Sequence, residues 1–175
     1  MEDELTENQE KLLAGLKPKK RKNSRAKGAA FENKVAKQLN ERFDTTDFSR
    51  TPGSGAFATT HKLPQHLQLH GDLITPQTFR FIVECKKGYN DLSLDALLNE
   101  KSKLWEWLDT LERDMAAANK PGILLVAQDR RPTILIRKKD DRKHNNQVII
   151  KKEDREYTMT SLEEFLDYSN DWFYL

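Results

Sequence analysis

The sequence predicts an α/β fold in which a central mixed β-sheet is flanked by helices. Apolar residues recur at helical spacing in two segments, and runs of β-branched and aromatic residues lie between Pro and Gly. The predicted order is helix, strands, long helix, strands, helix, which is typical of a layered α/β domain. A length of 175 residues suits one domain, which we place at residues 24–175, behind an N-terminal arm at 1–23.

The first helix is predicted over residues 25–43, with Ser24 as its N-terminal cap. Its apolar positions are spaced by four residues, so they form one buried stripe. They are Phe31, Val35, Leu39 and Phe43. The next stretch, residues 45–60, is rich in Thr, Ser, Gly and Pro, which predicts a loop.

The clearest strand is predicted at residues 79–86, after a shorter strand at 70–75. Alternation along a strand places Glu84 and Lys86 on one face and Cys85 on the other. We expect this strand to lie in the centre of the sheet. Two ionic side chains are costly to bury there, so they indicate a function.

A long helix is predicted from Asp95 to Ala118, because eight apolar residues recur at helical spacing. They are Leu94, Leu97, Leu98, Leu104, Trp105, Leu108, Leu111 and Met115. Trp107 lies off this stripe, so we expect it to lie at the surface of the subunit. There it is either part of a subunit interface or simply half-buried.

The remaining elements form the end of the sheet and a C-terminal part at residues 147–168. Strands are predicted at 123–127 and 133–136, and an edge strand is predicted at 148–150. Thr160 and Glu163 have the spacing of a capping box, which predicts a last short helix through Leu166.

The net charge of +2 conceals two opposed blocks at the N-terminus. Residues 1–16 carry a net charge of −4, residues 17–27 carry +7, and the other 148 residues carry −1. We expect residues 1–23 to be disordered, because such runs bury nothing. The basic run predicts an arm that binds DNA phosphates, and a solubilising tail is the alternative. Its predicted DNA contacts are Lys19, Lys20, Arg21, Lys22, Arg25 and Lys27.

Composition also excludes several classes of protein. No stretch approaches the ~18 consecutive apolar residues of a membrane helix, so no membrane partner is expected. The acidic start lacks the apolar run of a signal peptide. A single cysteine, Cys85, rules out a disulfide framework and fits a reducing cytoplasm.

The chemistry is predicted from Asp72, Glu84 and Lys86. If the hairpin brings Asp72 beside Glu84, the two carboxylates repel, and a divalent cation relieves the repulsion. Ligands that are all oxygen favour Mg²⁺, with Mn²⁺ able to replace it. Such an ion polarises a phosphate, and Lys86 can stabilise the negative charge that develops. Glu-x-Lys also occurs by chance as a surface ion pair.

Glu32 lies beside the buried stripe of the first helix, so it could reach the same cleft as an outer ligand. On its own, a helix glutamate is more often solvated. His61, His66 and His70 are better interpreted as loop residues or DNA-backbone contacts than as a metal site, because no helical His pair or cysteine accompanies them.

Four segments in series resemble a known nuclease family. They are residues 27–32 (Lys-Gly-Ala-Ala-Phe-Glu), 50–56 (Arg-Thr-Pro-Gly-Ser-Gly-Ala), 71–74 (Gly-Asp-Leu-Ile) and 83–87 (Val-Glu-Cys-Lys-Lys). In order and spacing, this series resembles the archaeal- and phage-type Holliday junction resolvases of the PD-(D/E)xK nuclease superfamily. The resemblance covers about residues 24–138. It departs at Gly71, where the superfamily motif has Pro.

The resemblance implies a restriction-endonuclease-like core and a Mg²⁺-dependent homodimer. Such a dimer cuts four-way DNA junctions during recombination, repair or replication. Asp72, Glu84 and the Cys85 backbone carbonyl would hold the metal, and Glu32 would join them either directly or through water. Lys86 would be the catalytic lysine. Ser54 and Arg50 would lie in the loop that meets the scissile strand, and Lys87 would contact DNA.

Two alternatives remain open from the sequence. The chain could be a nuclease of the same superfamily that acts on forks, flaps, mismatches or duplex DNA. It could also be a non-catalytic accessory protein that binds DNA through its basic arm. The intact set of Glu32, Asp72, Glu84 and Lys86 favours an enzyme, because a degenerate nuclease is expected to have lost at least one of them.

Overall fold

The computed structural model describes residues 23–52, 70–89, 97–99, 101–128, 132–141 and 146–175. Within these ranges, five strands form a mixed sheet with helices packed against it, which confirms the predicted α/β class. The helices are α1 (Ser24–Phe43), α2 (Lys103–Ala117) and α3 (Leu162–Leu166), followed by a 3₁₀ turn at Asn170–Trp172. The strands are β1 (Ser49–Arg50), β2 (Leu73–Ile74), β3 (Phe81–Lys87), β4 (Gly122–Gln128), β5 (Ile134–Lys138), β6 (Val148–Lys152) and β7 (Arg155–Ser161).

Helix α1 buries Phe31, Val35 and Leu39 of its predicted stripe and leaves Phe43 half-buried, and it begins one residue earlier than predicted. Its cap is Asn23, whose side chain accepts the backbone N–H groups of Arg25 and Ala26, so the prediction of Ser24 as the cap is wrong. Asn is at least as good an N-cap as Ser, which explains the shift. Phe31 and Leu39 are among the residues that α1 buries.

The sheet has the order β3-β4-β5-β7-β6, so β3 is an edge strand of the five-stranded sheet. The expectation that this strand is central is therefore wrong. It pairs in parallel with β4, while β2 pairs with β1 instead. One backbone hydrogen bond of 2.8 Å, from the Asp72 N–H to the Val83 carbonyl, runs along its open side. This edge gives Asp72 access to β3 from outside the sheet.

Helix α2 is shorter than predicted. It begins after Ser102, whose hydroxyl accepts the backbone N–H of Leu104, so the predicted start at Asp95 is wrong. The apolar spacing continues upstream through Leu97 and Leu98, but Leu98 is 87% exposed and contributes nothing to the core. Helix α2 buries Leu104, Trp105, Leu108 and Leu111, as predicted.

Strand β7 was not predicted from the sequence. It forms a hairpin with β6 in which Lys152 pairs with Arg155, and Glu153 adopts a positive φ of 55°. The turn lacks the Gly or Asn that normally marks such a conformation, so no signal separated the two strands. The predicted edge position of residues 148–150 is confirmed. The capping box is shifted by one residue, because Ser161 caps α3 and accepts the Glu164 N–H.

The core has one layer on each face of the sheet. Phe81, Val83 and Cys85 pack with α1, whereas Ile82 packs with α2, which confirms the predicted alternation along β3. Glu84 and Lys86 therefore face the α2 side. The last residues close the α1 side, where the Arg80 N–H donates to the Phe173 carbonyl at 2.8 Å. Among the described residues, no helix is long and apolar enough to cross a membrane.

Candidate active site

Gly71 brings Asp72 against the open edge of β3. Its φ is +76°, and a Cβ there would lie 2.6 Å from the Val83 carbonyl oxygen, so only glycine fits. Proline, with φ fixed near −65°, cannot adopt this conformation. The departure from the Pro-Asp motif thus has a local cause. The buried Asp72 carboxylate accepts the Cys85 N–H at 2.9 Å, which fixes it beside the strand.

Glu84 lies at the middle of β3 and is largely shielded from water. Its carboxylate pairs with the Lys86 ammonium group. Burial and, second, the negative charge of Asp72 raise the pKa of Glu84 to about 7, although Lys86 acts in the opposite direction. Asp72 and Glu84 are therefore close enough to repel, as the sequence predicts. Glu84 tends to hold a proton near neutral pH unless another positive charge replaces it.

Lys86 remains a cation in this environment. Burial, the largest single influence, lowers its pKa, but Glu84, Asp72 and Tyr89 together raise the pKa of Lys86, so the net shift is upward. Its Nζ also lies 5.8 Å from the centre of the Trp107 ring. Lys86 can therefore supply positive charge to a phosphate but is not suited to take a proton from water.

Cys85 presents its side chain to the opposite face of β3. The thiol is buried, and burial followed by the charge of Asp72 raises its pKa well above the usual range. A neutral thiol of this kind belongs to the core rather than to a reactive site. The Cys85 backbone carbonyl remains a predicted metal ligand.

Glu32 and Arg50 form a second ion pair, which lies towards α1. The Arg50 Nε donates to Glu32 Oε2 at 2.5 Å, and Glu32 is 8% exposed. Arg50 reaches this position because β1 pairs with β2, the strand that directly follows Asp72. The negative charge of Glu32 also contributes to the raised pKa of the Cys85 thiol, which places Glu32 near that face of β3. The role of Glu32 as an outer ligand stays a prediction.

The donor set fits a hard divalent cation. Asp72 and Glu84 offer only oxygen, and their mutual repulsion is the kind that Mg²⁺ or Mn²⁺ relieves. Within the described residues, no group of three or more His, Cys, Asp or Glu side chains is arranged to hold a metal. The described part of the site thus supplies two carboxylates, and further ligands would come from the backbone, from water or from the phosphate.

The structure describes some of the residues that are predicted to contact DNA and leaves others outside the described ranges. Arg25 and Lys27 are exposed in the first turns of α1, and Lys27 Nζ approaches Gly88, just after β3. Lys87 contacts the side-chain oxygen of Gln128 and lies 5.2 Å from the Phe31 ring centre. Lys27 and Lys87 thus come together at the end of β3. Lys19, Lys20, Arg21, Lys22, Ser54, His61 and His66 lie outside the described residues.

Two features of the site were missed in the sequence. Asp114 of α2 adds negative charge near Glu84 and lies 3.9 Å from His70. Trp107 is half-buried and packs against Tyr89, with ring centres 4.9 Å apart. Trp107 lies four residues before Leu111 and Asp114 lies three residues after it, so Trp107 and Asp114 share one face of α2. This spacing could have predicted from the sequence that they lie together. A role for Trp107 in a subunit interface stays a prediction.

Comparison with known families agrees with this geometry. A family model described as "Phage putative PDDEXK endonuclease" matches residues 23–174. No curated protein and no solved structure matches the chain. With the five-stranded mixed sheet, the match confirms a restriction-endonuclease-like fold. It extends well beyond residues 24–138, because the C-terminal strands and aromatic residues complete the same sheet and core.

Proposed function

The chain belongs to the family of phage PDDEXK endonucleases, and on that premise we propose that it resolves branched DNA, with the four-way junction as its main substrate. Nucleases of this superfamily generally depend on divalent metal ions, and we propose Mg²⁺ as the ion here, with Mn²⁺ as a substitute. The reaction is hydrolysis of a phosphodiester bond at the open edge of β3.

One observation carries this proposal: Asp72, Glu84 and Lys86 meet at the sheet edge. Asp72 is fixed by the Cys85 N–H, Glu84 has a pKa raised to about 7, and Lys86 pairs with Glu84. Two shielded carboxylates in repulsion are costly for a fold. Their cost is offset when the site binds a cation, which supports a metal-dependent nuclease over an accessory protein without chemistry.

Asp72, Glu84 and the Cys85 carbonyl would hold the ion, which supplies Lewis acidity at the phosphate and acidifies the attacking water. Side chains and backbone groups of the protein have the other roles in the reaction. Lys86 stabilises negative charge on the phosphate as the bond to the leaving oxygen breaks. The Cys85 N–H keeps the Asp72 carboxylate in place throughout. Arg50, which pairs with Glu32, would contact a phosphate of the same DNA strand.

Substrate binding would use the positive charges around this edge. Lys27 and Lys87 lie at the end of β3, and the basic arm precedes α1 in the sequence. Phosphate contacts of this kind give affinity without base specificity. They suit an enzyme that recognises the shape of a branch.

A homodimer is part of the proposal, because two active sites related by a twofold axis can cut opposing strands of a junction in one encounter. A cruciform extruded from a supercoiled plasmid tests this point. Paired cuts convert the plasmid directly to the linear form, whereas release of nicked circles as the main product contradicts a dimeric resolvase.

The deciding experiment compares labelled four-way, forked, flapped and linear DNA of shared sequence, with Mg²⁺, Mn²⁺ or EDTA. We expect cleavage of branched DNA that needs the metal. Glu84→Gln, which removes a carboxylate that would hold the ion, and Lys86→Ala, which removes positive charge at the phosphate, should each lower the rate about 100-fold or more. Glu41→Gln, on an exposed part of α1, is the matched control and should cut normally. Equal cutting of linear and branched DNA would contradict the proposed substrate.

A further inference from the structure

Tyr89 stands out on the surface beside the candidate active site. It is 42% exposed, and it is the one exposed aromatic side chain among the residues that the structure describes. The other described aromatic rings are buried or half-buried, mostly in the core around α1 and the C-terminal segment. The open part of the ring lies beside the candidate active site, because Tyr89 contributes to the raised pKa of Lys86 and is therefore close to that lysine.

The position of Tyr89 is set by rigid elements. Gly88 turns the chain with a φ of +82°, and its N–H donates to the Gln128 carbonyl at 2.9 Å. Tyr89 then meets Trp107 of α2, with ring centres 4.9 Å apart and planes 69° from parallel. Trp107 also lies beside the Lys86 ammonium group. Tyr89, Trp107 and Lys86 therefore form one contact chain from the surface to the site.

The charges around Tyr89 suit a nucleic-acid strand. Lys27 Nζ approaches Gly88, the residue immediately before Tyr89, and the Lys86 ammonium group, which pairs with Glu84, lies 5.8 Å from the centre of the Trp107 ring that Tyr89 contacts. Cations beside an exposed aromatic ring are the pattern by which proteins hold a phosphate backbone and stack a base. A base inside a duplex is already stacked on its neighbours, so only an unpaired base can use such a ring.

We propose that Tyr89, braced by Trp107, stacks an unpaired nucleobase of the strand that is cut, and so selects DNA with unpaired nucleotides near the scissile phosphate. This deepens the proposed function and rests on it for the identity of the substrate. Forks and flaps have such a base in their single strands, a four-way junction offers one where the base pairs at its crossover open, and a continuous linear duplex offers none. The contact would place the neighbouring phosphate at Lys86, which links recognition of the branch to the chemistry.

The test measures binding of the full chain in EDTA, where no cleavage interferes. The probes are a fork and a linear duplex of the same sequence, with 2-aminopurine in the unpaired position at the fork. Tyr89→Ala should lower the fork-over-duplex affinity ratio about 5- to 150-fold, the range expected for loss of one base–aromatic stack. Tyr89→Phe should keep the ratio. Val148→Ala, an exposed apolar residue of the far edge strand, is the control and should also keep it.

The fluorescence of 2-aminopurine reports the stack itself. It should be quenched when the wild-type chain binds the fork, and this quenching should disappear in Tyr89→Ala. The proposal is overturned if Tyr89→Ala keeps the wild-type ratio, if it weakens fork and duplex binding equally, or if Tyr89→Phe behaves like Tyr89→Ala. Cleavage is scored separately. Tyr89-dependent fork binding by a chain that cuts no DNA supports the stack and refutes only the nuclease proposal.

Discussion

Glu84 is a carboxyl group with a pKa near neutrality, and this property can be measured without any DNA. Its pKa in the folded chain is raised from 4.5 to about 7 by burial and by Asp72. Because the pKa of Glu84 is higher in the folded chain than in the unfolded chain, its protonation stabilises the fold, and this contribution is complete below about pH 4.5. That contribution is lost as the pH rises through about 7. The site is thus strained at alkaline pH until a cation occupies it.

In EDTA, the free energy of unfolding should therefore fall between pH 5 and pH 8, by on the order of 2 kcal/mol from this group. Urea titrations followed by circular dichroism measure it. Glu84→Gln should flatten the dependence, and Mg²⁺ should stabilise the wild-type chain more at pH 8 than at pH 5. If Glu84→Gln leaves the pH dependence of the free energy of unfolding unchanged, the Glu84 carboxyl group is not its source.

Gly71 offers a second test at the level of one residue. Gly71→Ala should lower the free energy of unfolding by about 2 kcal/mol or more, because it combines a positive φ with a clash against the Val83 carbonyl. Gly71→Pro, which restores the superfamily's usual dipeptide, should be worse. Gly28→Ala is a suitable control, since its nearest atom would be 3.7 Å from the new Cβ. Thermal melts that rank Gly71→Pro as neutral would contradict the described turn.

At the scale of secondary structure, the start of α2 decides where the rigid scaffold of the site begins. Ser102 caps the helix and is 5% exposed. Ser102→Ala should cost about 1 kcal/mol, as loss of a helix cap usually does. Ser49→Ala, at an exposed strand position, should cost little. An unchanged denaturation midpoint in Ser102→Ala would favour the longer helix that apolar spacing predicts.

The elements that could be predicted from sequence were those with strong local signals. Helix α1 and strands β3 and β4 follow from apolar spacing and β-branched runs, and so does the alternation that separates Glu84 from Cys85. Strand β7 could not be found, because its turn depends on Glu153 in a positive φ without glycine. The edge position of β3 depends on pairing between distant segments, which local patterns do not contain.

The candidate site was predictable to a similar degree. Asp72, Glu84 and Lys86 were found by motif, and the structure brings them together. The pairing of Arg50 with Glu32 and the contact of Trp107 with Tyr89 were not predicted, because they join residues 18 positions apart in both cases. Contacts of this range are set by how elements pack and not by any one element.

At the scale of the whole molecule, the C-terminal segment is part of the core that supports the site. Phe173 is fully buried against Phe43 and Phe165, and its carbonyl accepts the Arg80 N–H just before β3. Phe173→Ala should cost about 3–5 kcal/mol, as for other large core deletions. Leu175→Ala should stay within about 0.5 kcal/mol, because Leu175 is exposed. Chemical denaturation of both variants provides the comparison.

The charge blocks at the N-terminus also act on the whole molecule. Deleting residues 1–22 removes the acidic start together with five of the seven cations of the basic block. DNA affinity should fall, and its dependence on salt should become shallower, by up to about 4.5 in log–log slope if these five cations each contact a phosphate. Fluorescence anisotropy at several salt concentrations measures both quantities. An unchanged slope would show that the block acts only as a solubilising tail.

The hydrogen bond from the Cys85 N–H to Asp72 limits how position 72 can change in evolution. Asp72 serves twice, since the side chain that would hold the metal also pairs a buried backbone group at the open edge of β3. A descendant that stopped cutting DNA would be free to replace Glu84 and Lys86. It would still need an acceptor at position 72, which Asn could provide and Ala could not. Loss of catalysis in this lineage should therefore leave position 72 as the last trace of the ancestral site.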